Sequence, residues 1–363
     1  MKTKNCFILK SFVVVFSILL FNCSGSNNLL NKLPEPTPGN GYINPKLVEA
    51  EFIIEIENIK PLNADSLKVW NNLNGVPENQ KPQFLIWCSD IIDRDNQRVF
   101  DNKISGTLPT DTFTEFENGN KICFWDLSNR LNDTTKITIK RHFSYYTYDY
   151  KPKFDTTVTF SDYSSIPQEL FYFFTKAEPS LEQTAEIINK ANNIAGIGNN
   201  IIPKVKNIFS WVRNNMLYVY PPEKRGVLEA FEKLKGDCGQ YSALFVTLCR
   251  CIGVPARQQS GLVIQKDNTF GYHVWSEIYV PKFGWIPMDA TYPDGFGHLT
   301  NNRIYSSVGM NLPLKYVPTW ATYQNQDAQG QRTDFMQFST IVKNGFDAKI
   351  TTYRKVINFK DVE

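Results

Sequence analysis

The stretch "KGDCGQYSALFVTLCRCIGVPARQ", Lys235 to Gln258, holds three of the chain's seven cysteines. Tyr241, Leu244, Phe245, Leu248 and Ile252 recur at three- and four-residue spacing, the period of a helix with one apolar face. Gly253 and Pro255 stop that helix, and Asp237 is placed to cap its start. Cys238 therefore falls in the first turn, where unpaired backbone N–H groups and the positive end of the helix dipole favour an anion. A thiolate is such an anion. The position is expected to depress the thiol pKa and to offer N–H groups to an oxyanion. A small residue buried at a helix start is the ordinary alternative, and position alone does not separate the two. Cys249 and Cys251 lie two residues apart and cannot both face a core, so one of them is expected to be partly exposed.

Helices precede this stretch and strands follow it. "SLEQTAEIINKANNIA", "IIPKVKNIFSWVRNNM" and "RGVLEAFEKLKG" carry the helical period, while "ARQQSGLVIQ", "GYHVWSEIYVP" and "GWIPMDATY" read as strands. Helices followed by an antiparallel sheet make an α+β domain, assigned to residues 166–300. The chain has three histidines. His273 sits on the second strand, where alternation puts His273, Trp275, Glu277 and Tyr279 on one face. "PKFG" turns the chain, and the return strand brings Asp289 within a few residues of facing register. A carboxylate beside an imidazole fixes its tautomer and stabilises its cation. Alone, His273 reads as a structural histidine and Asp289 as a turn acid. Together with Cys238, the order Cys, His, Asp is that of a nucleophile, its base and an orienting acid.

Upstream, "EAEFIIEIENI", "KPQFLIWCS", "NKICFWDL", "TKITIKRHFSYYTY" and "DTTVTFSDY" are strand-like runs separated by turn residues, which predicts an all-β sandwich over residues 47–165. "DIIDRDNQ" lacks the glycine and glutamate of a calcium loop and reads as a solvated turn; no metal or cofactor is expected. Residues 301–363 are expected to form a C-terminal extension that completes or packs on the catalytic core. Pro34, Pro36 and Pro38 mark residues 23–46 as a solvated tether. Lys2, Lys4 and Lys10 flank an apolar run, Phe12 to Phe21, that is too short to span a bilayer and reads as an export signal over residues 1–22. "LLFNCSGS" resembles a bacterial lipoprotein signal, with Leu20 ahead of Cys23 and small residues after it, although Phe21 and Asn22 are larger than usual there. The resemblance implies lipidation at Cys23 and a chain anchored in the bacterial cell envelope, on the periplasmic face or outer membrane. An ordinary cleaved signal peptide is the alternative. The +3 formal charge comes from the first residues, so a mature chain would be near neutral, which argues against nucleic acid as a partner. After processing, Cys88, Cys123, Cys238, Cys249 and Cys251 remain, an odd number that leaves at least one thiol free. Cys88 and Cys123 could pair or be buried as two thiols.

"GDCGQYSALFVTLCRCIGVPAR" followed by "YHVWSEIYVPKFGWIPMDAT" resembles the transglutaminase-like superfamily, in a segment running from Asn207 in "NIFSWVRNNMLYVY" to Thr291. The resemblance implies a papain-related core with Cys238 as nucleophile, His273 as general acid/base and Asp289 as orienting carboxylate. "SLKVWNNLNG" and "FDTTVTF" resemble, more weakly, the β-domain that often precedes such cores. The implied chemistry is attack on an amide or ester carbonyl of a protein or peptide substrate, giving a thioester. Water would make the protein a peptidase, amidase or deamidase; an amine would make it a cross-linking acyltransferase. A binding or assembly lipoprotein that retains the fold is the non-catalytic alternative. Tyr218 or Tyr220 could add an oxyanion donor, as upstream side chains do in some relatives. Trp275 and Trp285 read as packing, Arg257 as support for a turn, and His142 and His298 as surface or structural residues.

Overall fold

Along Val48, Ala50, Phe52, Ile54 and Ile56 every second side chain is buried, the pattern of a strand with one face on a core. They belong to the first element of a computed structural model that describes residues 41–94, 96–106, 111–129, 136–318, 320–321, 332–333 and 335–362. In chain order its elements are β1 (Tyr42–Pro61), α1 (Ala64–Leu73), β2 (Gln83–Ser89), β3 (Gln97–Gly106), β4 (Asp111–Thr114), β5 (Lys121–Asp126) and β6 (Ile137–Tyr150). Four helices and two short strands come next: α2 (Gln168–Phe173), α3 (Ala185–Ala195), α4 (Ile201–Asn215), β7 (Leu217–Tyr218), α5 (Val227–Lys233) and β8 (Lys235–Gly236). They lead into α6 (Cys238–Cys251), β9 (Ala256–Ile264), β10 (Phe270–Val280), β11 (Gly284–Met288) and β12 (Arg303–Val308). The chain ends in β13 (Leu312–Pro313), β14 (Arg332–Thr333), β15 (Ser339–Asn344) and β16 (Phe346–Asp361).

Three antiparallel four-stranded sheets organise the molecule, in the orders β16-β1-β6-β3, β15-β2-β5-β4 and β11-β10-β9-β12. The first two enclose a core that includes Phe52, Ile54, Phe84, Trp125 and Phe143. The third carries α6, whose Leu244, Phe245 and Leu248 share a core with Ile208, Val212, Ile278 and Ile286. Leu262, Ile264, Phe270 and Ile304 of the third sheet belong instead to the core of the first two sheets. That sheet is therefore covered on both faces, and β9 and β10 are buried almost throughout. The fold is mixed α and β with antiparallel sheets, as the sequence indicates.

Two expectations need correction. The expected tether runs through Lys46, yet Tyr42–Lys46 already lie in β1, where Tyr42, Ile43 and Lys46 pair with β6 and Lys46 begins the pairing with β16. The C-terminal extension is divided. β12 completes the sheet beneath α6, but β15 and β16 join the two sheets of the β-rich half. The physical reason is the length of β1: its 20 residues present a row of backbone donors and acceptors that β16 satisfies from Lys46↔Asp361 to Pro61↔Phe346. Cys88 and Cys123 face each other on β2 and β5 as buried free thiols. The expected export signal, Cys23 and the tether up to residue 40 lie outside the described residues.

Candidate active site

The "KGDCGQ" address is fixed residue by residue. β7 pairs in parallel with β8, setting Tyr218 opposite Gly236 just ahead of α6. Gly236 has φ +155, and a Cβ there would meet the Gln240 Cγ at 2.4 Å and Cβ at 2.5 Å, so the turn demands glycine. The Asp237 side chain accepts the Gln240 N–H at 3.2 Å, capping the helix. Its carboxylate is also held by Arg225 at 2.9 Å. Gln240 ties back the preceding loop, accepting from Gly226 N–H and donating to the Lys224 carbonyl, both at 3.0 Å. Ser242 fastens the helix to β10 by donating to the Trp275 carbonyl at 2.9 Å.

Cys238 opens α6 as expected, with 8% of its surface exposed. Its thiol receives the backbone N–H groups of Val274, next to His273, and of Gly239. The expected depression of its pKa does not occur. Burial, reinforced by the Asp237 and Asp289 carboxylates, pushes the thiol up to about 11 against those two N–H groups. At rest it is a neutral thiol. The Tyr218 hydroxyl accepts the Cys238 backbone N–H and also hydrogen-bonds the Cys238 side chain. Of the two tyrosines left open by the sequence, Tyr218 is the one whose hydroxyl is set against Cys238. Burial of its hydroxyl end, then the nearness of Cys238 and Asp237, pushes this phenol up to about 12, although half of the residue is exposed.

His273 lies on β10 and Asp289 directly follows β11. The register Ser276↔Met288 sets Asp289 close to Trp275 rather than straight across from His273. The side chains close the gap: His273 Nε2 meets Asp289 Oδ2 at 2.7 Å. Asp289 Oδ1 accepts the Thr291 hydroxyl at 2.5 Å and the Thr291 N–H at 3.1 Å. Arg303, from β12, donates to Asp289 Oδ2 at 2.8 Å. Burial alone would raise the Asp289 carboxyl, but the His273 and Arg303 charges and the hydrogen bonds from His273 and Thr291 hold it well below the usual carboxylate range. For His273 burial is the largest influence and lowers its pKa; Asp289 opposes this and Arg303 adds to it. Sequence reasoning missed Arg303, since no local pattern marks it.

Cys238, Tyr218, Tyr220, Tyr272, Val274 and Phe335 line a cavity of about 430 Å³. Phe335 belongs to the C-terminal segment, and its neighbour Gln337 donates to the His273 carbonyl at 3.0 Å. Trp275 stacks on the His273 ring at 6.0 Å and 20°, whereas Trp285 packs against Phe174 and Tyr279 away from it. Arg257 supports no turn. It lies within β9, pairs with buried Glu277 at 2.7 Å and covers the Trp285 ring at 3.7 Å. Cys249 is buried and Cys251 partly exposed, as their spacing requires. His142 sits by Glu49 and Glu51, and His298 by Asp294, away from Cys238. No cluster of ligands able to hold a metal ion occurs among the described residues.

Residues 188–290 match the family pattern of the Transglutaminase-like superfamily, so this segment is a transglutaminase-like domain. An uncharacterised protein of Haemophilus influenzae is 26% identical over 148 residues, a match that takes in 32% of this chain and 39% of that protein. The chain therefore spans well under half the length of that relative. Among solved structures, a candidate cysteine protease from Cytophaga hutchinsonii superposes with a TM-score of 0.54 at 13% identity, covering 88% of this chain and 92% of that one. That likeness is one of fold. The periplasmic domain of TgpA from Pseudomonas aeruginosa aligns with a TM-score of 0.34 at 12% identity over 65% of this chain and 93% of that one, too low to bear on fold or activity.

Proposed function

We propose that this transglutaminase-like domain is a cysteine hydrolase of amide bonds, with Cys238 as nucleophile, His273 as acid/base and Asp289 as the group that orients the imidazole. The observation that carries this reading is the convergence of elements. The Cys238 thiol at the start of α6 is held by the N–H next to His273, whose Nε2 is engaged by Asp289 at 2.7 Å. In the proposed reaction Nδ1, the nitrogen that Asp289 does not engage, takes the thiol proton as sulfur bonds to the carbonyl carbon. Negative charge then develops on the carbonyl oxygen, where the Cys238 N–H and the Tyr218 hydroxyl are placed to receive it. The C–N bond breaks, the imidazolium protonates the departing amine, and a thioester remains. Water loses a proton to the imidazole as it attacks the thioester; the acid leaves and the sulfur recovers its proton. The mouth of the cavity, with Tyr218, Tyr220 and Tyr272 all exposed, admits solvent, which favours water over an amine as acceptor.

The purified protein, mixed with a diverse peptide pool, should produce new N-termini or glutamine-to-glutamate conversions that vanish in Cys238→Ala. Incorporation of an added primary amine into the peptides, likewise lost in Cys238→Ala, would favour the cross-linking reading instead. Turnover that persists in Cys238→Ala would sink both. We further propose that Cys23 is lipidated after export and that residues 24–40 hold the folded part clear of the membrane. Cells fed labelled palmitate should mark the parent chain but not Cys23→Ala; an unlabelled parent would end the anchor reading without touching the enzymatic one.

A further inference from the structure

Arg303 stands beyond the segment that matches the family pattern, on the strand that completes the sheet from the C-terminal side. It is 4% exposed. Its guanidinium and the His273 imidazole meet the same oxygen of Asp289, at 2.8 Å and 2.7 Å. They also share their walls. The guanidinium lies 5.3 Å from the Trp275 ring centre and 5.1 Å from that of Tyr292, and the imidazole lies 6.0 Å from the first and 5.7 Å from the second. A buried carboxylate facing a lone histidine would favour the imidazolium, a cation with no vacancy for the proton of a thiol. A carboxylate already neutralised by an arginine has little field left to do so.

We propose that Arg303 is a positioning residue: by sharing Asp289 Oδ2 with His273 Nε2 it fixes the carboxylate and keeps the imidazole uncharged at rest, ready to act as a base. The inference rests on the role proposed above for His273. The titratable and charged groups set about that imidazole are Asp289 after β11, Arg303 on β12, Asp237 just ahead of α6, and Tyr292, whose ring stands 5.7 Å away. Asp237 is already paired with Arg225, so Arg303 is the cation that offsets Asp289. A merely structural ion pair would hold the strand in place without setting the charge of the histidine.

The test is an imidazole NMR titration of the full chain labelled at its three histidines, with His273→Asn used to assign the His273 signal. In the parent the His273 midpoint should lie below the ordinary value of about 6.5. Arg303→Gln, which can keep the hydrogen bond but not the charge, and Arg303→Met should both raise it by at least about one pH unit. Arg303→Lys should bring it most of the way back. A parent midpoint at or above about 6.5, or neutral variants within about 0.2 of the parent, would overturn the proposal even if peptide cleavage were intact. A shifted midpoint would uphold it even if no cleavage were found, because the titration requires no turnover.

Discussion

Asp289 is the residue on which most of the site's partners converge, and replacing it tests stability and chemistry separately. Asp289→Asn keeps the shape but leaves the Arg303 charge buried without its counter-ion, so the fold should lose about 3–5 kcal/mol in urea denaturation. Its folded carboxyl is held below the unfolded value of about 3.9. The stabilisation from its ionised form is thus fully present above that unfolded value and is lost as pH falls through the folded one. The parent's acid unfolding should therefore show a component below about pH 4 that Asp289→Asn lacks; matching acid limbs would refute this. The raised Cys238 thiol makes a second expectation. Iodoacetamide labelling of Cys238 in the resting protein should climb steadily above neutrality, and a rate already level at pH 5 would indicate a thiolate–imidazolium pair instead. At this scale the sequence singled out Cys238, His273 and Asp289 through type, spacing and order, and the structure brings the His273 and Asp289 side chains within 2.7 Å. Arg303 was illegible because its partner is reached only after the chain loops out and returns as β12. The thiol pKa departs from the sequence expectation for a related reason: the helix start is a local feature of the sequence, whereas burial is set by the whole fold.

The start of α6 is the element that sets the geometry, and its glycine has no substitute. Gly236→Ala puts a Cβ into Gln240 at a backbone angle that L residues rarely adopt. It should cost about 1–3 kcal/mol by urea midpoint and should lower Cys238 labelling at the same time, because Asp237 and Cys238 follow directly. An unchanged midpoint and labelling rate would show that the turn is more forgiving than its contacts imply. The helix and its cap were readable from the stripe of apolar residues and from Asp237. Its burial on every side was not, because Ser242 and Arg250 look like surface residues until β10 and the loop before α3 supply partners such as the Trp275 carbonyl and Glu178.

In the molecule as a whole the sequence separates a β-rich part from a transglutaminase-like part, but the packing joins them. Phe52 of β1 touches Phe143 of β6 at 4.8 Å, Phe270 of β10 at 5.7 Å and Phe338 of the C-terminal segment at 4.9 Å. A shared core of this kind should unfold in one transition seen alike by circular dichroism and tryptophan fluorescence, and Phe52→Ala should shift both signals together by about 3–5 kcal/mol. Two separated transitions would mean that the halves are independent. The alternation within β1 was legible as strand, but which strands pair with it is decided by edges and by register between opposite ends of the chain, which no local window contains. For the account's central claim, the mass of the intact chain is the most direct readout. After brief incubation with p-nitrophenyl acetate and an acid quench, the parent should carry one acetyl group, mapped to Cys238 and removed by hydroxylamine. His273→Ala should gain it far more slowly and Cys238→Ala not at all. An adduct that forms equally well without His273, or that maps to Cys251 in place of Cys238, would contradict the account.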